Sequence, residues 1–118
     1  MQRTWIALGA LAGLTAVAMA ALAAHGLEPA AEVRSGVEMQ GWHALALLAC
    51  GLWAPRGGKL ADGAGAAFTI GIVLFCGSVY ALGLGVMRSA PAAPIGGTLL
   101  MLGWLLLGLS ALIRSSAR

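Results

Sequence analysis

The chain has 118 residues, 60% of them hydrophobic and only 9% charged, with a net charge of +3. A soluble domain carries about 25% charged residues, so this surface is not built for water. The seven Lys and Arg stand singly between apolar segments, which excludes a basic nucleic-acid face and makes them topology markers instead. The fold expected is all-α: an integral membrane four-helix up-and-down bundle in a single domain, with spans at about 4–26, 37–55, 64–87 and 94–113.

The first span, 4–26, follows Arg3. Ala18-Met19-Ala20 and Ala21-Leu22-Ala23 resemble signal-peptide cleavage sites, but the segment is read as a retained helix. Gly9, Gly13, Ala16 and Ala20 make one stripe, and Gly9-x-x-x-Gly13 permits close backbone approach. The second span, 37–55, is short. Pro29 offers a first helical position, so this helix is expected to start among headgroups and carry Glu32, Arg34 and Glu38 there. His43 and Cys50 share one of its faces, with Leu47 between them.

In the third span, 64–87, the residues Gly65, Thr69, Cys76, Tyr80 and Gly83 fall on one arc. The fourth, 94–113, is expected to begin near Pro94, because Pro91 and Pro94 disfavour helix before them. Gly97, Met101, Trp104 and Gly108 share its stripe. Strands are excluded: the runs are long, lack period-two alternation, and are rich in Ala, Leu and Gly. Gly9, Gly13, Gly97 and Trp104 are the candidate helix-packing residues, and packing alone explains such stripes in most membrane bundles. The lone cysteines Cys50 and Cys76 make no disulfide framework.

Placing both termini in the cytoplasm puts Arg3, Arg56, Lys59, Arg114 and Arg118 inside, against Arg34 and Arg88 outside. Trp5 and Trp53 would then anchor at the inner interface and Trp42 at the outer. Trp104 falls mid-span, where its N–H needs a partner on a neighbouring helix. This topology gathers His25, Glu38, Gln40, His43, Ser78, Tyr80 and Thr98 towards the outer side. Polar groups inside a span are costly and suggest a site. Each also has a plain role: His25 precedes Gly26 and can satisfy last-turn carbonyls, and His43 can bond Tyr80 or a backbone carbonyl. His43 and Tyr80 are expected to meet directly or through one water.

Haem ligation by His25 and His43 lacks a second His pair, and the His and carboxylate spacing matches no metal site. Ser78 or Cys76 has no base oriented by a third group. The reading is therefore a chain with no catalytic residues, no cofactor and no metal, and no enzyme activity.

One resemblance spans nearly the whole chain. It begins with Gly9-Ala10-Leu11-Ala12-Gly13 and Ala24-His25-Gly26-Leu27, and resumes at Trp42-His43-Ala44-Leu45-Ala46-Leu47-Leu48. It is clearest in Leu74-Phe75-Cys76-Gly77-Ser78-Val79-Tyr80-Ala81-Leu82, then Ala93-Pro94-Ile95-Gly96-Gly97 and Gly103-Trp104. In that order these motifs resemble the small inner-membrane proteins of the YgdD type, related to transmembrane protein 256. Departures are Ala23-Ala24 in place of a glycine-rich stretch, Cys76 in place of the usual serine, and short second and third connections. The resemblance implies four spans, no established activity, and recurrent positions at His25, His43, Ser78, Tyr80 and 94–97.

The expected function is that of an accessory or stabilising subunit of a larger membrane complex in the bacterial inner membrane. Its partners would be membrane lipid and other subunits or further copies of itself, with no nucleic acid, through a face containing Gly9 and Gly13. The alternative is a small transport or ligand-binding protein for a proton, lipid or quinone, using the outer polar cluster.

Overall fold

The computed structural model describes residues 1–25, 31–86 and 88–116, with only the backbone described at 25, 31, 32 and 114–116. Three helices follow one another: α1 (Gln2–His25), α2 (Ala31–Gly83) and α3 (Ala92–Ser116). Their stretches Gln2–Ala24, Val33–Gly83 and Ala92–Ile113 are long and apolar enough to cross a membrane. Among the described residues there is no strand.

The expectation of four separate helices is corrected. The spans expected at 37–55 and 64–87 belong to one helical element, α2, which is interrupted by a kink at Gly58. A straight 53-residue helix would measure about 80 Å, whereas the longest dimension of the whole molecule is 52 Å. Gly58 has φ 61° and ψ −140°, a backbone conformation that a residue with a Cβ avoids. The chain reverses there without a loop, and 31–57 lies antiparallel to 59–83. The Cys76 thiol reaches the Gly36 carbonyl at 3.5 Å, across forty positions of sequence. Pro55, expected to end a span, sits inside the helix one turn before the kink.

α2 ends in a capped turn. Gly85 has φ 80°; its N–H reaches the Leu82 carbonyl at 3.2 Å, and the Val86 N–H reaches the Ala81 carbonyl at 2.9 Å. This pair of bonds is the Schellman arrangement, with glycine at the left-handed position. α3 then starts at Ala92, two residues ahead of the expected Pro94.

α2 is the centre of the molecule. It packs against α1 on one side and α3 on the other, and no Cα of α1 comes within 8 Å of one in α3. The core holds Trp5, Ala46, Leu47, Cys50, Ala64, Phe68 and Leu100. Trp5 lies beside Asp62, and Trp53 beside Ser110. The start of α1 and the last turns of α3 therefore share the end where Gly58 turns. The cytoplasmic placement of the termini is not carried by the fold: the bundle does not distinguish one side of a bilayer from the other. Trp5 and Trp53 are also corrected as interface anchors. Trp5 is only 5% exposed, and both indoles tie one helix to another. Trp42 is 63% exposed, as an outward anchor would be.

Candidate functional site: two interhelical polar centres

A side-chain amide in an apolar span has no water to bond, so it must find partners on other helices. Gln40, buried in the first half of α2, does this on both sides. Its amide nitrogen donates to the Ala12 carbonyl of α1 at 2.9 Å and to the Thr15 hydroxyl. Its amide oxygen accepts from the Tyr80 hydroxyl, in the second half of α2, at 2.7 Å. One residue thus joins α1 to both halves of α2.

His43 forms the second centre and is 3% exposed. Its Nδ1 lies 2.6 Å from the Met39 carbonyl, one turn back on the same helix. Its Nε2 lies 3.0 Å from the Trp104 indole nitrogen on α3. An indole N–H can only donate, so Nε2 presents a lone pair and Nδ1 carries the proton donated to Met39. This is a neutral imidazole with both nitrogens spent. Phe68 completes the cluster, with its ring centroid 5.6 Å from His43 and 5.2 Å from Trp104, the latter edge-to-face.

The expected meeting of His43 and Tyr80 is therefore corrected: His43 turns to α3 and Tyr80 to Gln40. The rest of the outer group does not assemble around them. Glu38 is exposed on α2, and Ser78 is half-buried in its second half. Thr98 is occupied by its own helix, donating to the Pro94 carbonyl at 2.8 Å. His25 ends α1, and its side chain lies outside the described residues. Both cysteines are buried and free.

Of the packing candidates, Gly9 is closely used. A Cβ there would meet the Ala44 carbonyl oxygen and the Leu48 side chain at 3.0 Å. The Gly9/Gly13 face expected to receive another chain is thus covered by α2. At Gly13 and Gly97 an added Cβ would make only ordinary contacts, at 4.0 and 3.8 Å. Trp104 behaves as its mid-span position implied, donating to a neighbouring helix.

Sequence reasoning placed Gln40 in the outer polar group without assigning it a partner, and did not single out Thr15, Asp62 or Ser110. Asp62 accepts from the Trp5 indole at 2.8 Å, and Ser110 from the Trp53 indole at 2.9 Å. A signal did exist for Gln40: an uncharged amide among apolar residues needs at least one partner of its own. Among the described residues, no group of three His, Cys, Asp or Glu side chains could hold a metal ion, and no buried side-chain donor or acceptor lacks a bond. The two centres tie helices together, and both ring nitrogens of His43 lie at hydrogen-bond distance from a partner.

Residues 19–97, well over half the chain, match the family described as "Protein of unknown function (DUF423)". The chain belongs to this family. A DUF423 relative from Haemophilus influenzae, a UPF0382 membrane protein, is 40% identical over 112 residues, covering 89% of this chain and 90% of its own. A UPF0382 membrane protein of Staphylococcus epidermidis is 37% identical and covers 94% and 97%. The UPF0382 membrane protein YwdK of Bacillus subtilis is 32% identical and covers 93% and 97%. No solved structure matches. The relatives' names and the three membrane-capable helices agree that this DUF423 chain is a membrane protein.

Proposed function

We propose that this chain is a non-enzymatic accessory or stabilising subunit of a larger complex in the bacterial inner membrane. Within its family we place it with the YgdD and transmembrane protein 256 type, on the ordered motifs from Gly9 to Trp104. The observation that supports the subunit reading is an outward face of α3. Met101 and Leu105 are 68% and 58% exposed, and Gly108 follows on the same face, with nothing within 4 Å of where its Cβ would stand. Glycine costs about 1 kcal/mol relative to Ala in a helix interior. The bundle gains no internal packing from Gly108 to offset this, whereas a second chain could approach the bare backbone closely. This face replaces the Gly9/Gly13 seam, which α2 occupies.

The test is purification of the tagged chain from native membranes in mild detergent, with mass spectrometry of what accompanies it. Stoichiometric subunits or further copies are expected. Gly108→Leu should release them while the isolated chain keeps its unfolding temperature. A chain that purifies alone, or partners that survive Gly108→Leu, would remove the proposal.

A further inference from the structure

At the end of the molecule away from Gly58, the last turns of α1 stand off from the first turns of α2. The gap is a groove of about 550 Å³, walled by Ala20, Ala23, Ala24 and Val37 and rimmed by Arg34 and Glu38. The same two charged residues border a second hollow of about 330 Å³, beside Met39 and Trp42. Arg34 and Glu38 therefore form a ridge between two partly apolar hollows.

They sit one turn apart, about 6 Å along the axis. Among the described residues neither makes an ion pair or a hydrogen bond. Arg precedes Glu in the sequence, which is the weaker order for a pairing at this spacing. Among the described residues both charges are thus left for a further partner. The apolar stretch of α2 begins at Val33, so the ridge stands where headgroups meet hydrocarbon. Residues four apart share one face of a helix, so both side chains border the same two hollows.

We propose that this groove binds a phospholipid with a primary ammonium headgroup, of the phosphatidylethanolamine type. The phosphate pairs with Arg34, and the ammonium donates hydrogen bonds to the Glu38 carboxylate. The hydrocarbon chains run along the alanines of α1, whose small side chains leave the room. Charge complementarity selects this occupant. An anionic headgroup gains Arg34 but meets repulsion from Glu38, and a choline headgroup carries positive charge without an N–H to donate. The inference does not depend on the subunit proposal.

The test titrates the full chain in detergent with phosphatidylethanolamine, phosphatidylcholine and phosphatidylglycerol of matched acyl chains. Bound lipid is counted by native mass spectrometry. Phosphatidylethanolamine should be retained about threefold over the other two, the scale of one exposed charge pair. Glu38→Gln should abolish its advantage over phosphatidylcholine, and Arg34→Gln should weaken retention of all three. Both side chains are exposed, so both variants should unfold at the parent temperature. Inorganic phosphate should not displace the lipid. Equal retention of phosphatidylethanolamine and phosphatidylcholine, strongest retention of phosphatidylglycerol, displacement by phosphate, or a preference that survives Glu38→Gln would each overturn the proposal.

Discussion

The two sides of α2 are packed by different rules. Against α3 the contact is tight along most of its length. A Cβ on Gly103 would stand 2.6 Å from the Phe68 ring, one on Gly71 would stand 2.7 Å from Leu100, and one on Gly96 would press on the backbone nitrogen of Phe75. Against α1 the contact is equally tight only at the start. There a Cβ on Gly65 or Gly51 would come within 2.5 Å of Trp5 or Ile6. By Gly13 the approach has relaxed to 4.0 Å, and beyond Ala20 the helices part around the groove. The glycine-rich motif of α1 looks like a packing seam in sequence, yet closeness depends on the partner. A glycine opposite a ring or a bare backbone is filled, whereas one opposite an alanine is merely near. The open side is where Arg34 and Glu38 stand without a partner among the described residues.

The largest effect should come from Gly96→Ala. The atom it strikes is backbone, which cannot rotate away, so overpacking should cost about 3 kcal/mol. Gly97→Ala, one residue on, should meet only an ordinary contact and gain up to about 1 kcal/mol of helix propensity. Unfolding of the two variants in the same detergent compares them directly. Equal stability would mean that α3 is rotated from the orientation described.

Trp5→Phe comes next. It keeps the buried ring but removes the donor to Asp62, leaving a part-buried carboxylate without that bond at a cost of about 1–3 kcal/mol. Trp42→Phe is its control, since that indole is 63% exposed. A loss no greater at Trp5 than at Trp42 would show that the tight start of α1 does not depend on this bond.

A small effect of opposite sign belongs to Gly13→Ala as well. Its Cβ would make one ordinary contact with Ala44, so the helix-propensity gain of up to about 1 kcal/mol should show as a slightly raised midpoint. A clear loss of stability would instead place α1 as close to α2 as α3 is.

Much of the architecture was legible in the sequence, for reasons that particular residues make plain. A mid-span indole needs a partner, and Trp104 has His43. Pro94 marks the start of α3 to within two residues, because its ring is tolerated only in a first turn. The site was less legible. His43 and Tyr80 were correctly seen as groups hydrocarbon cannot satisfy, but depth along a helix does not say which way a side chain points. Gln40 stood close enough to take the Tyr80 hydroxyl, while α3 supplied the donor for His43.

By itself the sequence determined that this is an all-helical membrane protein of a recognisable family. Twenty-residue apolar runs in a lipid solvent have few alternatives, since each must satisfy its own backbone. Tertiary structure alone decided that two expected spans form one kinked element turning at Gly58. It also decided that Gly96 rather than Gly97 presses on the backbone of Phe75, and that Arg34 and Glu38 have no partner among the described residues. Successive residues on a helix differ by about 100°, so a small rotation changes which side chain meets a neighbour. That rotation is set by how bulky groups such as Phe75, Trp5 and Phe68 seat against bare backbone, and no local pattern encodes it.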